Sequence, residues 1–307
     1  MKEFYPEGML IENPENRRCL SSVQALQAAM LENKILEARA TMCDLEHNLI
    51  VDLGVMKGII PRSEGALGLD SGEIRDIAVI SRVNKPVCFV VTDIKTDKDN
   101  RFYALLSRKT VQQKCMEQYI SKLIPGDIIT SRVTHLESFG AFTDIGCGIA
   151  SLLPIDSISV SRISHPGDRF STGTVIKAVV KSIDENLRIC LTHKELLGTW
   201  EENAGMFSQG ETVSGIVRSI ESYGIFVELT PNLAGLAEYR DNVKIGQQAS
   251  VYIKSLIPEK MKIKLIIVDA FDAEYAEAEP GYFINGTHID RFRYSPQICG
   301  KVIESLF

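Results

Sequence analysis

A ten-residue pattern occurs twice in this chain. The stretch ESFGAFTDIG occupies residues 137–146 and ESYGIFVELT occupies residues 221–230. The match extends without a gap, 126–154 over 210–238, and it resumes as 173–194 over 246–268 after a connection that is 11 residues shorter in the second copy. A fainter third copy covers 35–64 and 85–109. Self-similarity of this kind indicates a tandem array of similar units, here of roughly 60 to 80 residues each.

Each unit shows the pattern of a small β-domain. Short segments rich in Val, Ile, Phe and Thr alternate apolar and polar residues, and Gly, Asp, Asn or Pro separate them. Five such strands per copy, with a longer connection between the third and fourth, are typical of the five-stranded Greek-key barrel called the OB fold. The predicted fold class is therefore mainly β, with three tandem five-stranded OB barrels and connecting helices.

The repeats also predict the boundaries of the domains. A helix with a serine N-cap is expected from residue 21, and a second helix over 110–123, where Val111, Cys115, Tyr119 and Leu123 share one face. The predicted segments are an N-terminal extension (1–34), a degenerate barrel (35–109), a helical linker (110–124), a barrel (125–197), a linker (198–209), a barrel (210–269) and an acidic then basic and aromatic tail (270–307).

Composition narrows the function classes. The 307 residues are 45% hydrophobic and 24% charged, and no stretch approaches the roughly 18 to 20 apolar residues of a membrane span. The N-terminus lacks the pattern of a secretory signal, so we expect a cytoplasmic protein. A net charge of −6 argues against binding to duplex DNA, whereas single strands can be held by stacking on aromatic side chains.

Sequence motifs for catalysis or metal binding were not found. The seven cysteines are scattered without C-x-x-C spacing and are expected to be reduced thiols, and His135, His165, His193 and His288 have no partners identifiable from sequence. P-loop, G-x-S-x-G and H-E-x-x-H motifs are absent. We therefore expect no enzyme activity, no catalytic residues, no metal and no cofactor.

The repeated motif raises a question about its two aromatic residues. Phe139 and Phe142 differ by three positions, so in a regular strand they would face opposite sides. A bulge at Gly140 would place both rings on one face. If that face is the outer wall, the rings form a platform for stacking bases, with Arg188 on a neighbouring strand as the cation. The alternative is that one or both rings belong to the core.

These residues resemble the RNA-binding domain first recognised in ribosomal protein S-one, over about residues 35–269. The motifs that carry the resemblance are F-G-x-F and a closing Asp-x-x-x-Arg. The resemblance, to a short bacterial form with three tandem domains of this type, implies an OB barrel that binds single-stranded RNA through two aromatics, a histidine and the Asp/Arg pair. The implied contacts of the middle copy are Phe139, Phe142, Asp184 and Arg188, while Pro154 occupies the histidine position.

The other two copies depart further from the family pattern. In the last copy the implied contacts are Tyr223, Phe226 and Lys262, with Glu238 at the histidine position and Pro258 at the aspartate position, so weaker binding is expected. In the first copy the corresponding positions hold His47, Ile50, Pro61 and Tyr103. The resemblance implies that such a leading copy docks to the small ribosomal subunit instead of holding RNA.

Further basic residues are secondary candidates for nucleic-acid contacts. Lys181 and Lys254 occupy equivalent places on the fourth strands, and Arg218 and Arg240 lie near the motif of the last copy. At each of these positions a solvated surface charge is the commoner alternative. A basic and aromatic cluster in the tail, formed by Arg291, Arg293 and Tyr294, is expected to form a hairpin or strand against the third barrel.

The predicted function is a non-catalytic single-stranded RNA-binding protein of translation, with mRNA and the small ribosomal subunit as partners and no membrane association. Three alternatives remain open at this stage. The barrels could form a protein–protein adaptor, the chain could be an accessory RNA-binding subunit of an RNA-decay or transcription complex, or it could be a metal-dependent hydrolase.

Overall fold

The computed structural model describes residues 4–273 and 281–307. It contains three closed five-stranded barrels, so the predicted fold class is confirmed. The first barrel consists of β1 (Leu36–Cys43), β2 (Leu49–Asp52), β3 (Lys57–Ile60), β4 (Pro86–Thr96) and β5 (Phe102–Ser107). The second consists of β6 (Ile128–Glu137), β7 (Gly140–Asp144), β8 (Ala150–Pro154), β9 (Val175–Ile183) and β10 (Ile189–Thr192). The third consists of β11 (Thr212–Glu221), β12 (Gly224–Thr230), β13 (Leu233–Ala237), β14 (Gln248–Ile257) and β15 (Lys262–Phe271).

Short α-helices precede the first barrel and lie between the strands. They are α1 (Pro14–Cys19), α2 (Val23–Leu31), α3 (Ile77–Ile80), α4 (Arg108–Gln118) and α5 (Trp200–Ala204). The serine cap predicted near residue 21 is Ser22, whose hydroxyl accepts the backbone N–H of Ala25 at 3.1 Å. The helix predicted over 110–123 forms as α4, which begins two residues earlier, and it gives way to a 3₁₀ turn at Ile120–Lys122. Among the residues described, no helix has the length and apolar character needed to cross a bilayer.

The period-two alternation in the sequence becomes the inside and outside of each barrel wall. In β15, Ile263, Leu265 and Ile267 are buried while the residues between them are exposed. Each barrel closes through a parallel pairing of its third and fifth strands, for example Lys57 beside Tyr103 in the first barrel and Leu236 beside Lys264 in the third. The apolar side chains enclosed in this way form the barrel cores.

The described residues divide into two compact units. One comprises the chain up to Leu123 together with Asp144–Ala150, and the other comprises Ile124–Thr143 with the chain from Ser151 to Phe307. The first unit therefore contains the first barrel. The second unit contains most of the second barrel and the whole of the third.

The C-terminal tail completes the core of the third barrel. It forms a two-stranded ribbon of β16 (Arg291–Arg293) and β17 (Glu304–Leu306). Phe292 and Tyr294 are buried in the apolar cluster of the third barrel, and the Tyr294 hydroxyl donates to the carbonyl oxygen of Asn232 at 2.6 Å. The expected hairpin against the third barrel is thus present, while most of the acidic segment predicted before it (274–280) lies outside the described residues.

Candidate nucleic-acid interface

The two aromatic residues of the middle motif form a pair on the surface of the second barrel. The rings of Phe139 and Phe142 meet edge to face, with centroids 6.0 Å apart and an interplanar angle of 89°. Phe139 is 53% exposed and Phe142 is half-buried. Edge-to-face packing at this distance is a favourable aromatic geometry, and it leaves the Phe139 ring available to a planar ligand.

The bulge predicted at Gly140 is wrong. β7 begins at Gly140 and β12 begins at Gly224, so Phe139 and Tyr223 lie in the preceding hairpin turns and the strand parity rule does not apply to them. In the third barrel the register shifts involving the aromatic strand lie away from the motif glycine, between Val217 and Ser219 of β11 and between Glu228 and Thr230 of β12. The turn, instead of a bulge in the aromatic strand, brings both rings to one surface.

The glycine of the motif is required by the close approach of the next strand. A Cβ at Gly140 would lie 2.5 Å from the carbonyl oxygen of Leu153, and one at Gly224 would lie 2.4 Å from that of Ala237. Any side chain there would push the third strand of the barrel away from the aromatic strand. The same glycine is therefore needed in both barrels for the aromatic turn to sit directly against the third strand.

Asp184 positions Arg188 through the backbone. Its Oδ1 accepts the N–H groups of Asn186 at 2.9 Å and Arg188 at 2.8 Å, and the N–H of Asp184 donates to the carbonyl oxygen of Arg188 at 3.0 Å. Leu187 completes the turn with a φ of 58°. Arg188 itself is exposed immediately before β10, which pairs with β8 through Cys190 and Leu152. The aspartate therefore acts as the brace of the hairpin, and the arginine is the side chain available to a ligand.

The third barrel repeats the aromatic pair. Tyr223 and Phe226 have ring centroids 6.2 Å apart at 89°, and Tyr223 is 67% exposed. The strand register places Phe226 beside Leu236 and Leu236 beside Lys264, so the aromatic residue and a cation share one row across three strands. Neighbouring strands lie about 4.8 Å apart, so the two Cα atoms are separated by roughly 10 Å.

Lys262 lies on the same outer wall as Lys264, two residues earlier in β15. It follows Met261, whose φ of 48° gives the turn the same left-handed residue that Leu187 provides before Arg188. The arginine of the second barrel and the lysine of the third therefore occupy equivalent positions. Lys264 is an additional candidate that the sequence comparison missed, and the outward half of the strand alternation could have identified it.

The position that holds histidine in the family pattern lies beside the aromatic turn. The N–H of Ile155, the residue after Pro154, donates to the carbonyl oxygen of Phe139 at 3.0 Å. In the third barrel the corresponding Glu238 has a 90% exposed side chain with an oxygen 3.9 Å from the Lys254 amine. The proline supplies no polar group, and the glutamate adds a negative charge at this edge of the surface.

The secondary basic candidates have different environments. Lys181 is exposed and donates to the Ser157 hydroxyl at 3.2 Å, and Lys254 is exposed beside Glu238. Arg240 is exposed, but its Nη1 donates to the carbonyl oxygens of Ile267 and Val268, both at 2.8 Å. Lys181 and Lys254 remain available to a ligand, whereas Arg240 is held against the end of β15.

Arg218 has a structural environment instead of a surface one. Its side chain is 7% exposed, and its Nε and Nη2 donate to the two carboxylate oxygens of Glu228 at 2.9 and 3.2 Å. Glu228 also accepts from Arg169, and Asp168 lies 3.7 Å from Arg218. This buried network joins the loop before β9 to the third barrel. It contradicts the expectation that Arg218 is a surface cation near the motif, because polar groups taken out of water must satisfy one another.

Other titratable groups near the second barrel are structural as well. Burial lowers the pKa of His193 to about 4, its Nδ1 donates to the carbonyl oxygen of Ile158 at 3.0 Å, and its Nε2 lies 3.4 Å from the Tyr282 hydroxyl.

In the tail, Arg291 pairs with Glu304 across the ribbon, with Nε 3.0 Å from the carboxylate. The part of the chain that the structure describes contains no group of three or more His, Cys, Asp or Glu placed to hold a metal ion.

The first barrel lacks the aromatic pair but retains the Asp/Arg turn. Ile50 is buried, and His47 has an Nδ1 3.6 Å from an Asp76 carboxylate oxygen. Asp97 accepts the N–H groups of Asp99 at 2.9 Å and Arg101 at 2.8 Å, the same arrangement as at Asp184. The sequence alignment placed Tyr103 at the arginine position and missed this turn. The Asp-x-x-x-Arg spacing itself was the signal that could have revealed it.

Comparison with known proteins relates the second barrel to a described domain family. Residues 122–194 match the family model described as S1 RNA binding domain. The second barrel is similar to an S1 domain. This match and the relatives below confirm the resemblance inferred from the repeated motif.

The chain as a whole is similar to a bacterial ribosomal protein. It is 30% identical over 263 residues to "Small ribosomal subunit protein bS1" of Staphylococcus aureus (strain COL), a match that covers 80% of this chain and 64% of the relative. It is 28% identical over 277 residues to the bS1 protein of Staphylococcus haemolyticus, covering 85% and 68%. The chain thus spans about two thirds of the length of these relatives.

Among solved structures, one match is a multidomain protein with nucleic acid binding domains from Streptococcus pneumoniae. It has 13% sequence identity and a TM-score of 0.25, and the match covers 77% of this chain and 74% of that one. The Bacillus subtilis protein GSP13 matches at 25% identity with a TM-score of 0.22, covering 23% of this chain and 55% of that one.

Proposed function

We propose that this chain is a non-catalytic protein that binds single-stranded RNA, and specifically mRNA during translation. The observation that carries the proposal is the exposed edge-to-face pair of Phe139 and Phe142, repeated as Tyr223 and Phe226. Each pair shares its barrel wall with a cation that follows a left-handed residue in the closing hairpin. The S1 match of the second barrel and the similarity of the chain to bS1 support RNA as the ligand.

The arrangement favours a single strand over a duplex for a physical reason. An exposed ring can stack only on a base whose face is free, and bases inside a duplex are already stacked on one another. Each stacked base contributes about 1 to 3 kcal/mol, and a nearby guanidinium or ammonium group neutralises the adjoining phosphate. Because every base has an aromatic face, we expect little sequence preference. The proposed contacts are Phe139, Phe142, Arg188, Tyr223, Phe226, Lys262 and Lys264, with Asp184 as the brace of Arg188 and with Lys181 and Lys254 at the periphery.

Fluorescence anisotropy with labelled RNA tests this function directly. Wild-type protein and a Phe139→Ala/Phe142→Ala variant are titrated with the same sequence as a single strand and as a duplex. We expect the wild type to prefer the single strand and the variant to lose most of that preference. Equal binding of both RNAs by both proteins would contradict the stacking mechanism.

We further propose that the protein acts at the small ribosomal subunit in the cytoplasm. The similarity to bS1 supports this partner, and docking through the first barrel remains a prediction. Sedimentation of a cell extract on a sucrose gradient separates this role from that of an accessory subunit of RNA decay or transcription. Co-migration with small subunits is the expected result, and co-migration with a nuclease or polymerase instead would contradict it.

A further inference from the structure

A cleft on the first barrel combines cations with one exposed and one half-buried aromatic residue. It has a volume of about 840 Å³ and lies between β3 and the hairpin that joins β4 to β5. Its floor includes the buried side chain of Met56. Lys57, Lys98 and Arg101 supply three cations to its walls, and Phe102 and Tyr103 supply two rings. A cleft of this size is in the range that accommodates a nucleotide.

The cleft exists because the hairpin of the first barrel is longer than that of the second. In the second barrel the strand pair next to the Asp/Arg turn is Ile183 with Ile189, and Ile189 is buried in the core. In the first barrel the corresponding pair is Thr96 with Phe102, and Phe102 is 54% exposed. The turn is therefore carried beyond the barrel wall, and the phenylalanine that would otherwise enter the core stands at the edge of the cleft.

The balance of charge in the cleft is positive although the whole chain has a net charge of −6. Asp97 is the acid that lines the cleft, and its Oδ1 already accepts the backbone N–H groups of Asp99 and Arg101. Asp99 lies 3.3 Å from the Arg101 guanidinium, but both side chains are more than two-thirds exposed. An exposed ion pair of this kind is weak and gives way readily to a phosphate. Arg101 is thus available to an anion, and Lys57 and Lys98 add positive charge beside it.

An exposed ring in a cleft that is also lined by three cations suits one ligand class better than others. A base can stack on the exposed face of Phe102, while its phosphates meet Lys57, Lys98 and Arg101. An acidic peptide would use the cations and leave the ring in water. We propose that this cleft is an additional single-stranded RNA site, so that the first barrel also contacts RNA, at a place displaced from the aromatic surface of the other two barrels. This inference rests on the proposed function of the chain as a single-stranded RNA-binding protein.

Photo-crosslinking of the full chain locates the RNA. Wild-type protein is irradiated with a single-stranded RNA in which 4-thiouridine replaces uridine, and the crosslinked peptides are identified by mass spectrometry. We expect crosslinks to the peptide that contains Phe102 and Tyr103 as well as to the peptide that contains Phe139. Crosslinks confined to the second and third barrels would overturn the inference and leave the proposed function intact. The absence of both binding and crosslinks would overturn the function itself.

Affinity provides an independent measurement. An Arg101→Ser/Phe102→Ala variant should bind the single strand about fivefold or more weakly than wild type, since it loses one stacking ring and one cation. The matched control is Arg75→Ser/Ile77→Ala, which removes an exposed arginine and an exposed apolar side chain of the first barrel outside the cleft. Equal affinity of the two variants would overturn the inference. Binding of a fluorescent poly-glutamate peptide to the wild type, lost only in the cleft variant, would identify an acidic protein partner and overturn RNA as the occupant.

Discussion

Asp184 and Arg188 are joined by two hydrogen bonds, from the Arg188 N–H to the side-chain Oδ1 of Asp184 at 2.8 Å and from the Asp184 N–H to the Arg188 carbonyl oxygen at 3.0 Å. The carboxylate thus holds the turn, while the Arg188 residue is exposed to solvent. The resemblance to the S-one family implies an RNA contact for both residues. In the structure their environments differ, because the Asp184 carboxylate accepts hydrogen bonds within the turn whereas Arg188 is exposed.

The first prediction follows from this separation. Asp184→Ala should lower RNA affinity by loosening the turn, whereas Asp184→Asn should keep most of the affinity because its amide oxygen can still accept the two N–H groups. Arg188→Ala should lower affinity and reduce the slope of log affinity against log salt by about 1, since one phosphate contact is lost. Anisotropy titrations at several salt concentrations measure both effects. An Asn variant as weak as the Ala variant would show that the negative charge matters, not the turn.

The second prediction compares the two aromatic pairs. Tyr223→Ala/Phe226→Ala should weaken RNA binding less than Phe139→Ala/Phe142→Ala, because the third barrel has lysine in place of arginine and an exposed Glu238 beside its surface. A Glu238→Gln variant should bind more tightly than wild type. The control is Phe271→Ala, at the far end of β15, which removes a 45% exposed ring without a predicted effect on affinity. A larger loss of RNA affinity for the third-barrel variant than for the second-barrel variant would contradict this prediction.

The third prediction concerns the glycine of the motif. Gly140→Ala should destabilise the second barrel by about 1 to 3 kcal/mol, because the added methyl group overlaps the carbonyl oxygen of Leu153 and the strands must separate. RNA affinity should fall with it, since Phe139 moves with the turn. Gly300→Ala is the matched control, because a Cβ there meets no atom within 4 Å. Urea unfolding followed by circular dichroism reports the difference, and identical midpoints for the two variants would contradict it.

The fourth prediction separates a structural arginine from a ligand-binding one. Arg218→Ala removes one partner of the buried Glu228 and should lower the free energy of unfolding by about 3 kcal/mol, while the salt dependence of RNA binding stays unchanged. Lys262→Ala, at an exposed position, should have the opposite profile, with an altered salt slope and unchanged stability. A change in salt slope for Arg218→Ala would restore that residue to the RNA surface.

The fifth prediction is a pH dependence. Burial lowers the pKa of His193 to about 4, whereas the ring titrates near 6.5 in the unfolded chain. The unfolded state therefore binds the extra proton between these values, and stability is lost as the pH falls from about 6.5 towards 4, by at most about 1.4 kcal/mol per pH unit. His193→Gln should flatten this dependence, while His135→Gln, with a 64% exposed ring, should not.

Fluorescence of Trp200 provides the measurement for His193. It is the single tryptophan of the chain, and it is buried in the core of the third barrel, in the same compact unit as His193. A His193→Gln variant with the same pH profile as wild type would show that another group controls stability in this range.

The sequence predicted the architecture because each barrel repeats one pattern of alternation, and repetition makes an ambiguous strand pattern reliable. It predicted Phe139, Phe142, Tyr223 and Phe226 as a shared feature for the same reason. It failed where the determinant is a distance between strands. Gly140 was interpreted as a bulge because parity along one strand is visible in a sequence, whereas the approach of Leu153 from the next strand is not.

The errors about charged residues have a different origin. Arginine is usually a surface residue, so the sequence carries no sign that Arg218 and Arg240 have structural partners. In the fold, Arg218 is buried with Glu228, and Arg240 donates hydrogen bonds to the end of β15. Arg101 was missed because the closing strands were aligned without a gap, and the two extra positions in its hairpin moved the turn out of register. Long-range pairing and hairpin length are properties of the folded chain that a local pattern does not encode.

The hydrogen bond from the Tyr294 hydroxyl to the Asn232 carbonyl has a consequence for how this protein can be divided. The third copy of the repeat ends near residue 269, but its interior is finished by Phe292 and Tyr294 from the tail and by Trp200 from the segment before it. A fragment cut at the limits of the repeat would expose an apolar cavity where these rings belong. The repeated segment is therefore shorter than the segment that forms the complete core of this barrel. Grafts or truncations of the barrel should begin before Trp200 and end at Phe307.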